Sequence, residues 1–491
     1  MSARAELGTL EASGLIQVAT LQPELEYLFR HVLVQQAAYA SLLKQDRKAL
    51  HLAAAEAILA LHPEREQEFA AVIGMHLEQA GDAARAGRYL ILAGDHALER
   101  FANREALGFF VRAAELAGDA NPELRLKAAI GAARAGWTYN STGADIDRLE
   151  QALAGAAEAD PLLVTEAYFW IAFLRRQRGE SPESSAELRH ALERAAETGK
   201  SLGDSTVAAL PKALMGSFIA FMGNLREGAQ EMRSALDVIE KQGDAVSIAM
   251  VSDFLAMSYA RLGQFDDAER TIARAEQSAG SGDAIARVDV DISKAVVLLE
   301  RGEAEKARVQ ASVCSQRAED LGAFACVVAA NTMFGAASLA RQDASGAKPP
   351  LERGSELSEV TNMAAMRTLI QGLLGSTRAA LGDMPGGVEG WDAALDNAHS
   401  MGDRYGEAQT LWGRGRTYAR NTEWSTALPD LDRAVTLFEE MEARPSLARA
   451  LHDRAEVLRG LGRVSEAEVD EKHSSTLGQE LGLRDMPFGR G

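Results

Sequence analysis

Residues 255–275, LAMSYARLGQFDDAERTIARA, carry the pattern that decides the fold of this chain. Two stretches with the apolar spacing of helices are separated by Gly263, a residue suited to the left-handed end of a helix. Ala256 lies on the first stretch and Ala268 on the second. Because small side chains let helix backbones approach closely, we predict that the two helices pack against each other at these alanines.

The same pattern recurs along the C-terminal two thirds of the sequence. Counterparts of Ala256 follow one another in steps of 39 to 44 residues, with a second small residue 12 positions after each and a third after seven more. The three sets are Ala172, Gly216, Ala256, Ala295, Gly335, Gly375, Gly415 and Ala455; Ser184, Gly228, Ala268, Ala307, Ala347, Gly387, Ala427 and Ala467; and Ala191, Ala235, Ala275, Cys314, Gly354, Ala394, Ala434 and Ser474. This regularity predicts one helical hairpin stacked eight times.

The repeat resembles the tetratricopeptide repeat. Ala256 and Tyr259 follow the L-G-x2-Y spacing after Leu255, and Ala268 and Ile272 follow the A-x3-F spacing. We therefore predict an all-α protein, a right-handed superhelical solenoid with sixteen helices between residues 162 and 482. Gly-Asp pairs suited to end one helix and cap the next mark the expected junctions, at Gly203-Asp204, Gly243-Asp244, Gly282-Asp283 and Gly402-Asp403.

The overall composition agrees with a helical protein that does not bind nucleic acid. The 491 residues include 52 Lys and Arg against 71 Asp and Glu, a net charge of -19, so the basic surplus of a nucleic-acid binder is missing. Aromatic residues make up only 6% of the chain, which favours helices over a sheet. Two cysteines cannot form a disulfide framework, and we expect a cytoplasmic protein.

Several motifs that suggest chemistry have simpler explanations in the repeat. Gly199-Lys200-Ser201 resembles the end of a phosphate-binding loop, but Arg194 stands where the first glycine is required, and we predict a repeat junction. Cys314 and Cys326 are expected to be small buried thiols. The uncharged stretch from Leu321 to Ala340 is predicted to be a buried helix without membrane contact. We expect no catalytic residue, cofactor or metal, and therefore no enzyme.

The first 60 residues carry a different signal. A helix through Ala12, an apolar run at Leu15–Ala19, a turn at Gln22-Pro23 and an extended segment at Tyr27–Arg30 precede a helix from Val32. This order of helix, hairpin and helix is typical of the end of a winged helix.

The string FRHVLVQQAAYASLL, residues 29–43, with Asp46-Arg47-Lys48 and Leu50-His51 after it, resembles bacterial class III adenylate or guanylate cyclases. In that family a cyclase domain and an AAA-type, STAND-like ATPase precede a tetratricopeptide region, and the segment lies just after the ATPase. This sequence has no phosphate-binding loop and no cyclase domain. The resemblance implies either a stand-alone regulator or a fragment of a larger cyclase. His31 lies within the string, and a helix-capping or packing role is favoured over contact with a nucleotide.

These patterns divide the chain into four parts. Residues 1–60 are predicted to be a winged-helix-like remnant of an ATPase module, and residues 61–160 to be irregular helical repeats, with Ala97–Ala117 and Leu124–Tyr139 outside the repeat register. Residues 161–482 are predicted to hold the eight helix pairs, and residues 483–491 a flexible tail.

The function predicted from the sequence is a non-catalytic scaffold that binds a protein, peptide or ligand on its concave face and regulates a cyclase or ATPase. A separate ATPase or cyclase module is a possible further partner, whereas nucleic acid and membranes are not expected. The expected partner-binding residues are Arg176, Asp253, Arg261, Trp412, Arg416, Arg420 and His452, and the same face would include Phe169, Phe173 and Glu456. A transcription regulator that uses the winged-helix-like segment is the alternative.

Trp412, Arg416 and Arg420 are spaced by four residues and so share one face of a helix. They would form an aromatic and cationic stripe for an acidic or carboxylate-bearing partner, because a guanidinium can hold a carboxylate through two hydrogen bonds. The other interpretation of the stripe is a solvated face with one packed tryptophan.

Overall fold

The computed structural model describes residues 3–20, 26–100, 102–139, 142–156, 159–280 and 284–485. Within these ranges the chain forms twenty-four α-helices and one two-stranded antiparallel sheet. The predicted all-α class is confirmed, and the sheet is a small addition near the N-terminus.

The N-terminal segment has the predicted order of helix, hairpin and helix. Its elements are α1 (Ala3–Ala12), β1 (Ile16–Thr20), β2 (Glu26–Phe29), α2 (Val32–Ser41) and α3 (Lys44–Leu61). The two strands pair with Ile16 opposite Phe29. The turn predicted at Gln22-Pro23 lies outside the described residues.

His31 occupies the N-cap position of α2, but its side chain makes no capping hydrogen bond and is exposed. The predicted capping or packing role of this side chain is therefore wrong. No residue of α2 is buried, so this helix contributes little to the core.

The next five helices form the irregular part of the array. They are α4 (Glu66–Ala80), α5 (Ala83–Glu99), α6 (Asn103–Ala117), α7 (Pro122–Gly136) and α8 (Thr142–Gly155). The stretch predicted to be helical from Ala97 to Ala117 is divided between α5 and α6. The chain turns back here because the ring of Phe110 on α6 packs against Gly94 on α5, where a Cβ would lie 2.7 Å from the ring.

The eight predicted helix pairs follow. Their helices are α9 (Pro161–Gln177), α10 (Ala186–Gly199), α11 (Thr206–Phe221), α12 (Leu225–Gln242), α13 (Ala245–Arg261), α14 (Phe265–Ala279), α15 (Ala284–Glu300), α16 (Ala304–Leu321), α17 (Phe324–Ala340), α18 (Ala344–Val360), α19 (Arg367–Ala380), α20 (Met384–Met401), α21 (Arg404–Arg420), α22 (Trp424–Glu440), α23 (Arg444–Gly460) and α24 (Val464–Leu481). The prediction of sixteen helices is confirmed, and the odd-numbered helices of this group are the first helices of the pairs.

The first pair departs from the regular pattern. Ser184 lies in a turn before α10, so its predicted place inside the second helix is wrong. The connection between α9 and α10 runs over residues 178–185, whereas residues 222–224 suffice between α11 and α12, and this accounts for the longer step of 44 residues. A 3-10 turn at Lys200–Leu202 follows α10. The Gly199-Lys200-Ser201 motif therefore lies at a helix junction, as predicted.

Two of the four predicted Gly-Asp junctions form as expected. Gly243 and Gly402 take left-handed conformations, and Asp244 and Asp403 accept capping hydrogen bonds from Ser247 and Gly406. At the junction after α10, Ser205 caps α11 in place of Asp204, because its hydroxyl accepts from the Ala208 amide at 3.2 Å. Gly282-Asp283 lies outside the described residues.

The small residues are points of close approach between the paired helices. A Cβ on Gly216 of α11 would lie 3.0 Å from the carbonyl oxygen of Gly228 on α12. On α19, a Cβ on Gly375 would lie 2.8 Å from the carbonyl oxygen of Gly387. Ala256 and Ala268 are both fully buried. The predicted packing role of the small residues is confirmed at these positions.

The superhelix closes on itself, so that early and late pairs touch. Arg226 on α12 pairs with Glu442, 216 residues later, which is a little more than five repeats. Gly263 lies against Leu481, where a Cβ would be 2.6 Å from the leucine side chain. The backbone amide of Arg484 donates to the carbonyl oxygen of Arg301 at 3.0 Å. These contacts, which we call the seam, enclose the inner face of the superhelix.

The uncharged stretch that ends at Ala340 forms α17, whose sides are covered by α16 and α18. Its polar residues are buried, with Thr332 and Ser338 fully buried and Asn331 4% exposed. Among the described residues, no helix has the length and apolar character needed to cross a membrane.

Candidate ligand-binding chamber

The seam encloses a cavity of about 260 Å³ on the inner face of the superhelix, which we call the chamber. Its walls come mainly from the first helices of seven successive pairs, α9 to α21. Trp137, which follows α7, and Met363, which precedes α19, contribute as well.

Most of the chamber wall is apolar and adaptable. Aromatic and methionine side chains dominate it, namely Trp137, Phe173, Phe221, Phe254, Met250, Met257, Met333, Met363 and Met366. Methionine has three rotatable bonds and a polarisable sulfur, so such a wall can adjust to ligands of different shape.

Two arginines enter this apolar space without a direct ion pair among the described residues, although the carboxylates of Asp253 and Asp403 lie near enough to favour the charge of Arg176. The guanidinium of Arg176 lies 4.4 Å from the ring centroid of Phe254, and that of Arg261 lies 3.8 Å from the ring centroid of Tyr405. Over the described ranges of the chain, neither donates a hydrogen bond or forms an ion pair. Burial lowers the pKa of Arg176 to about 10, so it still carries its charge at neutral pH.

Carboxylates also line the chamber, and each has a donor of its own. Asp253 accepts a hydrogen bond from the Ser293 hydroxyl at 2.6 Å, and Asp403 accepts from the Gly406 amide at 2.8 Å. The thiol of Cys326 donates to Asp289 at 3.2 Å. Burial raises the pKa of Asp253, and it raises the pKa of Asp403 to about 6.

Glu300 connects the chamber to the seam. Its carboxylate accepts a hydrogen bond from the Tyr405 hydroxyl at 2.7 Å, although Tyr405 lies 105 residues away in the sequence. Arg449 donates to the backbone carbonyl of Glu300 at 2.8 Å and to Asp485 at 2.8 Å. Burial and the charge of Glu300 raise the pKa of Tyr405, which keeps the phenol protonated. The closed state of the seam therefore depends on a buried polar cluster.

A second cavity of about 720 Å³, which we call the groove, adjoins the chamber and shares Leu299, Ala336 and Gln409 with it. In the groove, the Trp412 indole donates to Asp453 at 2.7 Å, and Arg416 approaches the same carboxylate at 3.7 Å. Burial and the charge of Arg416 lower the pKa of Arg420.

The structure divides the sequence-predicted site residues between the two cavities. Arg176, Asp253 and Arg261 meet in the chamber, together with Phe173. The groove contains Trp412, Arg416, Arg420 and His452. Of the remaining residues assigned to this face, Phe169 is buried in the core and Glu456 is exposed. A role of these residues in binding stays a prediction.

Several chamber residues did not emerge from the sequence. Met250 and Met257 lie three residues before and four residues after Asp253, so helical spacing alone places them on its face. Glu300 and Tyr405 meet through the closure of the superhelix, for which the repeat pattern gives no signal.

The two cysteines are buried free thiols, as predicted. Burial raises the pKa of Cys314 to about 12 and also raises the pKa of Cys326, so neither thiol readily becomes the reactive thiolate. The part of the chain that the structure describes contains no cluster of three or more His, Cys, Asp or Glu side chains placed to hold a metal ion.

Comparison with known proteins identifies the fold. No protein-family model and no curated protein sequence matches this chain. A Rap protein complexed with the competence and sporulation factor is similar with a TM-score of 0.54 and 15% identity, over 74% of this chain and 98% of that one. At this identity the similarity concerns the fold, which is a tetratricopeptide-like helical repeat.

Two further structures are similar at lower scores. Cut9–Hcn1 of the APC/C has a TM-score of 0.49 and 15% identity, over 92% of this chain and 86% of that one. A STAND protein with a tetratricopeptide repeat sensor from Pyrococcus horikoshii has a TM-score of 0.41 and 13% identity, over 68% of this chain and 52% of that one.

Proposed function

We propose that this chain is a non-catalytic binding scaffold that receives a short peptide segment inside its superhelix. The observation that carries the proposal is the chamber itself, a largely apolar and partly open cavity with charged groups at a few fixed positions. Binding sites for small ligands and peptide side chains commonly have this character. The Rap protein of similar fold was solved in complex with the competence and sporulation factor, which supports a binding function for this fold.

The groove gives such a peptide room to continue. The chamber and the groove adjoin, so a segment that places one end in the chamber can extend past Trp412 toward His452. First helices of successive pairs line both cavities, and this is the inner face that helical-repeat proteins use for extended ligands.

We propose that binding is transmitted to a separate ATPase or cyclase module through the N-terminal segment. The resemblance of residues 29–51 to the segment after the ATPase in cyclase proteins supports this partner. Leu33, in α2, and Leu43, just before α3, are both 72% exposed. Exposed apolar side chains of this kind are typical of a surface that contacts another protein.

A peptide display selection tests the binding function. Purified wild-type chain should enrich peptides that bind it, and Ala329→Trp should weaken their binding at least 10-fold because the indole fills the chamber. Val309→Trp is the matched control, since Val309 on α16 is 51% exposed. Failure to enrich any peptide, or equal binding by the Ala329→Trp variant, would contradict the proposal.

We also expect the purified chain neither to hydrolyse ATP nor to form cyclic nucleotide in the presence of Mg²⁺ or Mn²⁺. Lys200 lies in a 3-10 turn between two helices, without the strand and glycine loop that cradle phosphates. Turnover that disappears in Lys200→Ala would show that this junction is a working phosphate site.

A further inference from the structure

The chamber has an unused capacity to donate hydrogen bonds. Arg176 and Arg261 each carry a guanidinium with five N–H donors, and neither has an acceptor among the residues that the structure describes. The Nε atom of Arg176 is buried without a partner. Leaving charged donors unsatisfied in an apolar space is costly, so the two guanidiniums favour a ligand that brings acceptors.

The carboxylates that line the chamber, unlike its arginines, already have hydrogen-bond partners within the protein. Asp253 accepts a hydrogen bond from the Ser293 hydroxyl, and Asp403 accepts one from the Gly406 amide. Glu300 accepts a hydrogen bond from the Tyr405 hydroxyl. Asp289 accepts a hydrogen bond from the Cys326 thiol. The acceptors of the chamber thus have internal donors, whereas its arginine donors lack internal acceptors. This asymmetry indicates an anionic group on the ligand.

The size of the chamber limits what accompanies that anion. An apolar cavity of about 150 Å³ binds benzene. In proportion, the 260 Å³ chamber holds about ten to twelve non-hydrogen atoms. The methionine and aromatic wall requires most of these atoms to be apolar.

We propose that the chamber binds a carboxylate on a single apolar group, with Arg176 and Arg261 donating to the carboxylate and the methionine-rich wall enclosing the apolar part. Two sources have this chemistry: the C-terminal residue of a peptide and a free medium-chain fatty acid. The proposal rests on the binding function proposed above and names the chemistry that the chamber selects.

The first measurement compares ligands on the wild-type chain by calorimetry, and so needs no variant. The peptide arm uses N-acetyl-leucyl-phenylalanine with a free or an amidated C-terminus, and the fatty-acid arm uses decanoate, decan-1-ol and decylamine. We expect the free carboxylate to bind roughly 10- to 100-fold more tightly than its neutral counterpart, as for charge-assisted hydrogen bonds in a buried site. The arm with the higher affinity identifies the source.

The second measurement uses the double variant Arg176→Gln, Arg261→Gln, which keeps most of the side-chain volume. It should bind the carboxylate and the neutral probe with similar affinity. Arg308→Gln is the matched control, because Arg308 pairs with Glu305 on α16 and does not line the chamber. Thermal melts check that both variants fold, and the ligand comparison on the wild type decides the question if the double variant does not.

The outcomes separate this inference from the binding function. Equal affinity for free and amidated peptide, or tighter binding of decylamine than of decanoate, would overturn the inference while display-selected peptides still bind the chamber. If display-selected peptides also bind Ala329→Trp as well as wild type, the binding function itself is wrong.

Discussion

The chamber and the groove both hold arginines on the inner face of the superhelix, yet their arginines are in different states. In the groove, Arg416 and Trp412 share the carboxylate of Asp453. In the chamber, Arg176 and Arg261 stack on aromatic rings and have no carboxylate within ion-pair distance among the described residues. An arginine on a concave face is therefore evidence of a binding site only when its own neighbours leave its donors free.

The helices that line the groove carry charge partners at repeating positions. Arg414 pairs with Asp430, and one repeat later Arg454 pairs with Asp470, each across 16 residues. Asp453 reaches Trp412 from the first helix of the next pair. Charges are thus matched within each of these pairs, and Asp453 adds a contact to the neighbouring pair, whereas the chamber joins residues from distant pairs that the repeat does not match.

The largest effect should come from the seam that closes the chamber. Arg449→Met removes the cation beside Glu300. Because Glu300 is only 9% exposed, its carboxylate is left as a buried charge without a cation beside it. We expect the free energy of unfolding to fall by about 3–5 kcal/mol in urea titrations. Arg308→Met, which removes an exposed ion pair on the outer side, should cost less than about 1 kcal/mol. Equal losses in the two variants would show that the seam does not stabilise the closed superhelix.

A smaller effect should distinguish a buried chamber carboxylate from an exposed capping carboxylate by its dependence on pH. Burial raises the pKa of Asp403 to about 6, above its ordinary value, so the folded chain binds this proton more tightly than the unfolded chain. The protonated form of Asp403 therefore favours the folded chain, and this contribution to stability is complete below about pH 4 and is lost as the pH rises through about 6. Relative to wild type, Asp403→Asn should therefore gain up to about 3 kcal/mol of stability between pH 4 and pH 7.

Asp383→Asn is the matched control for this measurement. Asp383 caps α20 by accepting from the Gly386 amide, just as Asp403 caps α21, but from an exposed position. The same pH-dependent gain in both variants would contradict the assignment to the buried chamber.

The sequence predicts the array well and the chamber only in part. Small residues such as Ala256 and Gly375 recur because the two helices of every pair approach closely at the same position, so the period of the sequence predicts them. The contact between Glu300 and Tyr405 spans 105 residues and depends on the pitch of the superhelix, which accumulates from small rotations between pairs. The four-residue spacing of the stripe also gives no sign of Asp453 as the partner of Trp412, because Asp453 belongs to the neighbouring pair.

The packing of small residues between paired helices, which builds the walls of both cavities, can be tested at Ala268. This residue is fully buried where α13 and α14 meet, so Ala268→Leu inserts bulk between two backbones. We expect overpacking to cost about 1–3 kcal/mol and to lower the melting temperature. Val309→Leu on the exposed side of α16 should leave the melting curve nearly unchanged. A melting curve of Ala268→Leu identical to wild type would show that the small-residue register is not a packing rule.

The smallest effect is expected for the stripe in the groove, which we still propose as a contact for acidic segments. Arg416 already pairs with Asp453, whereas Arg420 has no ion pair among the described residues. Arg420 is therefore the donor available to a partner. A labelled decapeptide of Glu and Ala should bind wild type weakly and lose only about two- to five-fold in affinity in Arg416→Ala, Arg420→Ala, as exposed ion pairs contribute little.

The control for the stripe is Arg414→Ala on the same helix, because Arg414 is held by Asp430. Asp453→Asn sharpens the comparison further, since it removes the internal anion that competes for Arg416 and should strengthen binding of the acidic peptide. The gain should shrink as salt is raised, because exposed charges are screened. If the double variant binds the peptide as well as wild type at every salt concentration, the groove is a solvated face and acidic partners contact the chain elsewhere.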